Sequence, residues 1–158
     1  MGSGKSTIAK FLAQELDYKI IDTDKQIESN SGKSITELFQ ISEDYFRSWE
    51  LIICKSLSRV KHTVISTGGG TVTREECRVI LKKLGFVVYL KCNADTIFER
   101  TSKRSNRPLL NTDNKKQTID ELLAKRDPIY TQMADFCVNT DDDNIEEISK
   151  KIIKAYHE

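Results

Sequence analysis

"GSGKSTIAKFLAQEL", residues 2–16, decides how the rest of the chain is read. A glycine, a lysine and a hydroxyl residue are followed at once by apolar residues at helical spacing, Ile8, Phe11, Leu12 and Leu16, so a turn opens directly into a helix. Amides in the first helical turn lack intrahelical partners, and the helix dipole favours negative charge there. The stretch matches the latter part of the phosphate-loop pattern G-x-x-x-x-G-K-[ST]. Gly2, Ser3, Gly4, Lys5, Ser6 and Thr7 are therefore expected to wrap phosphate oxygens. Lys5 would reach the β- and γ-phosphates, and the Ser6 hydroxyl would ligate Mg2+. A ligand-free Gly/Ser turn is the competing reading; the helical pattern that follows directly weighs against it.

Composition narrows the partners. The chain has 158 residues, 38% hydrophobic and 31% charged, which suits a single domain over 1–158 with one core. A formal net charge of +1 offers no general attraction to nucleic acid or to an anionic membrane, so anion binding has to be local. Cys54, Cys77, Cys92 and Cys137 form no C-x-x-C pair and read as reduced core thiols of a cytoplasmic protein. No apolar run approaches the roughly 20 residues of a membrane span. The small size makes a monomer the expectation.

Outward from the opening helix, short apolar stretches at 18–21, 62–67 ("HTVIST"), 86–91 ("FVVYLK") and 136–139 read as strands. They alternate with helical patterns, which is the mark of a parallel α/β sheet. "SITE" (34–37), "TREE" (73–76) and "TIDE" (118–121) each match a capping box and predict three helix starts. A closing helix carries Ile145, Ile148, Ile152 and Ile153 on one face. The polar segment 103–116, "KRSNRPLLNTDNKK", reads as an exposed loop able to close over a nucleotide.

Several polar residues stand where ligands meet an open α/β sheet. "DTD" puts Asp22 and Asp24 at a strand end, either as Mg2+ environment and hydroxyl acceptor or as helix cap and turn residue. Arg47, in "FRSWE", lies on a helix whose Phe46, Trp49 and Ile53 are core-like; by itself it is as well explained as solvated or salt-bridged. Gly68, Gly69 and Gly70 in "STGGGT" allow close backbone approach to a ligand. Arg107 falls in the polar loop and Arg126 at the expected end of the following helix, where guanidinium groups could hold a phosphoryl group and a carboxylate, respectively.

Taken in order, "GSGKST", "DTD", "FR" with a glutamate three residues on, "TGGG", "RPLL" and "KRDPIY" closely resemble the shikimate kinase family, from residue 1 to about 140. The resemblance implies a three-layer α/β/α P-loop kinase fold, nucleoside-monophosphate-kinase-like, with a five-stranded parallel sheet. It implies transfer of the γ-phosphoryl group of ATP to the 3-hydroxyl of shikimate, with Mg2+ as cofactor. By motif position, Lys5, Asp24 and Arg107 are the catalytic residues and Ser6 and Asp22 serve the metal. Asp24, Arg47, Gly68, Gly69, Gly70 and Arg126 bind shikimate. The phosphate loop with Arg100 and Arg107 binds ATP, Arg100 lying near the adenine.

One departure stands out. The family places a strand and a Gly-x-x before "GSGK" or its equivalent, and neither appears ahead of Gly2. The absent strand would sit between those at 62–67 and 86–91. Its absence is expected to expose two ladder edges and leave a groove in the core, as in a piece of a longer or fused protein.

Overall fold

The computed structural model describes residues 2–102, 108–110, 114–141 and 144–158. The opening stretch folds as α1, Lys5–Glu15, and buries Ile8, Ala9, Leu12 and Ala13. Then come β1 (Lys19–Asp22), α2 (Thr23–Ser31), α3 (Ile35–Ile41), α4 (Glu43–Ser56), β2 (Thr63–Ser66) and α5 (Glu75–Leu84). β3 (Val88–Lys91), α6 (Ala94–Ser102), α7 (Lys115–Met133), β4 (Phe136–Asn139) and α8 (Ile145–His157) complete the order.

All four expected strands form, with ends within two residues of those expected. Trimming at 86–87 has a local cause: the Val87 carbonyl accepts from the Asp135 and Phe136 amides, and its own amide donates to Asp135, so this pair bridges to the start of β4 without ladder geometry. The box at Ser34 is present in both directions and starts α3. The other two are not. Thr73 donates instead to the Gly70 carbonyl, and α5 begins at Glu75 without a side-chain cap. Thr118 lies inside α7, which Asn114 caps. Lys115 and Lys116 are thus helical, not part of the exposed loop; most of that loop, with Arg107, lies outside the described residues. Arg126 is likewise not at a helix end, because α7 runs on through Pro128 to Met133.

β1 pairs with β2 in parallel, Lys19 opposite Thr63, and β3 pairs with β4 in parallel, Val88 opposite Phe136. These are two separate two-stranded sheets, and among the described residues no ladder joins β2 to β3. The described residues thus carry four of the family's five strands, with the interruption where the missing strand was expected. On one side α1 and α8 pack through Ile8, Leu12, Ile148 and Ile152 against Val64, Val88 and Leu90. The other side is built from Cys54, Val72, Cys77, Leu81 and Met133. Between these layers lies a cavity of about 620 Å³. Val64, Ile65, Val88 and Leu90, in the middle layer, are consequently only half-buried.

Two smaller clusters brace the ends. Ile27, Leu38, Phe46 and Ile53 tie α2, α3 and α4 together, and Cys92, Ile97, Leu110 and Ile119 tie α6 to α7. Cys54, Cys77 and Cys92 are buried free thiols, as expected; Cys137, on the outer strand β4, is exposed. No helix among the described residues is long and apolar enough to cross a membrane.

Candidate active site

β1 ends at Asp22, whose carboxylate caps α2 by accepting from the Asp24 and Lys25 amides. The capping reading of "DTD" therefore holds for Asp22, while Asp24, two residues on, faces the glycine turn. That turn follows β2. Its first amide, Gly68 N–H, donates to the Thr23 hydroxyl at 3.1 Å, tying the ends of β1 and β2 together.

Close approach decides the glycines. A Cβ on Gly68 would stand 2.7 Å from Asp24 Oδ1 and 3.1 Å from Glu50 Oε1. One on Gly70 would stand 2.1 Å from Arg47 Nη1. The turn thus threads between α2 and α4, and any side chain would push the arginine away. Gly2 and Gly4 serve a different need, with φ of 67° and 80° in the left-handed region.

Arg47 is 7% exposed, against the solvated alternative. Its Nη1 donates to Glu50 Oε2 at 2.7 Å, and its Nε and Nη2 donate to Glu43 Oε1 at 3.2 and 2.8 Å. Glu50, itself 2% exposed, also accepts from the Thr71 hydroxyl at 2.6 Å. Burial works against the Arg47 charge, yet Glu50 and Glu43 outweigh it and hold the guanidinium above its ordinary pKa. The Phe46 ring lies 5.3 Å beneath the guanidinium carbon.

α7 closes the corner. Arg126 is 6% exposed, and its buried Nε has no hydrogen-bond partner among the described residues. One turn on, the Tyr130 hydroxyl donates to the Gly69 carbonyl. Burial pushes the Tyr130 phenol up, against the opposing pull of Arg126 and Arg47. Asp127 anchors the same helix by accepting from Tyr89 of β3 at 2.6 Å.

The phosphate loop lies beside this corner. Lys5 and Ser3 line the same cavity as Thr67, Gly68 and Gly69. No side chain caps α1, and Ser6 and Thr7 are exposed. Arg100 reaches across from α6, donating to the Thr140 carbonyl at 2.7 Å and to the Gly2 carbonyl at 3.4 Å, and so ties the loop to the end of β4.

The family model described as shikimate kinase matches residues 1–157. A shikimate kinase from Thermodesulfovibrio yellowstonii is 41% identical over 157 residues, covering 99% of this chain and 90% of that protein. The chain belongs to the shikimate kinase family. A family member from Vibrio parahaemolyticus is 37% identical, covering 100% of this chain and 92% of that protein. Among solved structures, the shikimate kinase of Acinetobacter baumannii in complex with shikimate superposes with a TM-score of 0.94 at 35% identity, covering 98% of this chain and 87% of that one. The shikimate kinase of Aquifex aeolicus superposes with a TM-score of 0.84 at 33% identity, covering 99% of this chain and 92% of that one. The fold is therefore that of the shikimate kinase family, a P-loop kinase α/β fold.

Three residues of this site had no role assigned from sequence: Glu50, Thr71 and Tyr130. Glu50 left a signal, because an arginine and a glutamate at i and i+3 share a helix face. Thr71 and Tyr130 left none, since each acts through a contact made by the fold.

Proposed function

We propose that this chain transfers the γ-phosphoryl group of ATP to the 3-hydroxyl of shikimate, forming shikimate 3-phosphate on the route to chorismate and the aromatic amino acids. The observation that carries the reading is the gathering of two buried arginines, Arg47 and Arg126, with Asp24 and the glycine turn beside the Lys5 loop. Shikimate has one carboxylate and three hydroxyls. Arg126, with its Nε still able to donate, and Arg47, already aimed by Glu50, suit the carboxylate. Asp24 and the backbone of Gly68, Gly69 and Gly70 suit the hydroxyls.

Gly2, Ser3, Gly4, Lys5, Ser6 and Thr7 would hold the ATP phosphates at the uncapped start of α1, with Arg100 near the adenine. The exposed Ser6 hydroxyl fits a magnesium ligand. Asp22 already spends Oδ1 on two backbone amides, so only its other oxygen would face the hydrated ion. Magnesium, when bound, offsets charge between the β- and γ-phosphates.

The shikimate oxygen then forms a bond to the γ-phosphorus as the bridge to the β-phosphate breaks and ADP leaves. Lys5 and Arg107 stabilise charge on the transferring group. Asp24 first orients the hydroxyl and takes its proton late, since a loose transition state needs little base assistance early. We also infer that the 158 residues act as one domain, monomeric and cytoplasmic, with the segment ahead of α7, 103–114, as a lid and no nucleic-acid or membrane partner.

The test is ADP release with ATP and magnesium, with and without shikimate, beside gluconate and nucleoside monophosphates as other acceptors. Shikimate-dependent release is expected. Release with another acceptor alone would overturn the reading. Asp24→Asn that keeps its full rate at saturating substrate would remove both roles given to Asp24.

A further inference from the structure

We propose, resting on the reading that this corner takes shikimate, that Glu43 is a resident carboxylate on Arg47 that the substrate carboxylate displaces into water. Three observations carry the proposal.

The first is the donor count. A guanidinium offers its N–H groups along a few fixed edges. The edge formed by Nε and Nη2 is taken by Glu43 Oε1, at 3.2 and 2.8 Å. Nη1 donates to Glu50 Oε2 at 2.7 Å. The edge between Nη1 and Nη2 faces the glycine turn, since a Cβ on Gly70 would stand 2.1 and 2.6 Å from those nitrogens. The rings of Phe46 and Phe39 lie 5.3 and 5.8 Å from the guanidinium carbon. A carboxylate that is to pair with Arg47 must therefore replace one of these partners.

The second is which partner can leave. The Glu50 side chain is 2% exposed and is held by the Thr71 hydroxyl, so its departure would strand a buried charge. The Gly70 carbonyl is held by both the amide and the hydroxyl of Thr73, which fixes the turn. The Glu43 side chain is 55% exposed and has water to swing into. It sits in the first turn of α4, where a negative charge suits the helix dipole whether or not it touches Arg47. Glu50 keeps the guanidinium aimed in either position of Glu43.

The third is fit and charge. Glu43 spans Nε and Nη2 with a single oxygen, whereas a carboxylate that sets one oxygen on each makes two parallel bonds, the stronger arrangement. Asp24, Glu43 and Glu50 already outnumber Arg47 and Arg126 here, so an acid arriving beside all three would meet like charge. Withdrawal of Glu43 removes that excess. The resident carboxylate thus keeps a buried cation paired until an acid arrives, and it weakens the binding of that acid by the strength of its own contact. A neutral polyol has no carboxylate with which to displace it.

Calorimetry tests this by measuring the binding of shikimate and of its uncharged methyl ester, without nucleotide. The proteins are the 158-residue chain, Glu43→Gln and Asp44→Asn, the last removing an exposed acid of the same helical turn. Glu43→Gln should bind shikimate about fivefold more tightly, the scale of a solvent-screened ion pair, with the ester unchanged. Asp44→Asn should match the parent for both ligands. Glu43→Ala, which removes the carboxylate altogether, should tighten shikimate in the same direction. Unchanged or weaker shikimate binding in the two Glu43 variants would overturn the proposal and make Glu43 a fixed brace of Arg47. An equal gain in Asp44→Asn would overturn it as well, showing a general effect of charge, and an equal gain for the ester would do so by showing a loosened corner. A parent chain that unfolds cooperatively yet binds no shikimate would overturn the reading of the site and this inference together, an outcome recognised before any variant is made.

Discussion

The buried corner around Arg47 and Arg126 and the phosphate loop stand side by side at one end of the strands, yet they are held by different means. The corner is an interior. Arg47 lies between Glu43 and Glu50, Glu50 is held by Thr71, and Tyr130 fixes the Gly69 carbonyl. The loop rests on the left-handed conformations of Gly2 and Gly4 and on the long reach of Arg100, and it borders the cavity between the layers. The corner is thus set by buried side-chain bonds before any ligand arrives, whereas the loop takes its shape from backbone dihedrals and from whatever lies beside it.

Substitutions should separate the two regions, and the largest effect belongs to the loop. Lys5→Ala should lower kcat by about 1,000-fold or more while leaving the shikimate KM nearly unchanged, because it removes charge stabilisation of the transferring group. Steady-state kinetics with each substrate varied checks this, and a matching rise in shikimate KM would break the division.

Next come the corner residues. Arg47→Ala should weaken shikimate by about 2–5 kcal/mol with little change for ATP. Gly70→Ala should act in the same direction, since its new carbon would meet the guanidinium 2.1 Å away. If both substrates weaken equally, the defect is in folding rather than in the corner.

Glu50→Gln sharpens the point by keeping the shape and removing the charge that aims Arg47. A rise of about tenfold in shikimate KM is expected, the scale of one charge-assisted hydrogen bond. Tyr130→Phe should be milder, about fivefold in shikimate KM and none in ATP KM, for the loss of one neutral bond to a backbone carbonyl.

The smallest effect lies away from both regions. Lys82 and the Val87 amide hold the Asp135 carboxyl below its usual range. A carboxyl with a lowered folded pKa contributes stability above its ordinary range and loses it as pH falls through the folded value. Asp135→Asn should cost at most about 1 kcal/mol at neutral pH, because the pair is solvent-screened, and should flatten the loss of Tm on acidification. Its kinetics should match the parent's, and a change in either KM would show that the site is less local than the bonds indicate.

The same contrast explains what could be read from sequence. The loop and α1 were legible because glycine, lysine, hydroxyl and helical period occur in one continuous stretch. β4 was legible to the residue, and Ser34 started α3 because its box has no competing use for the hydroxyl. "TREE" failed for the opposite reason: Thr73 is drawn into the glycine turn by Gly70. "TIDE" failed because Asn114 caps the helix four residues earlier. Arg47 could not be told from a solvated arginine by its own helix, since its burial depends on a turn more than 20 residues downstream. The interruption in the sheet was expected from the family pattern; its width and apolar walls come from the packing of α1, α5, α7 and α8.

One further consequence concerns light. The chain has a single tryptophan, Trp49, half-buried beside Phe46 and Ile53 and two residues from Arg47. Its emission therefore reports on the packing of α2, α3 and α4, the helices that carry Asp24 and Arg47. A titration watched at that wavelength would register any rearrangement of those helices without any added dye.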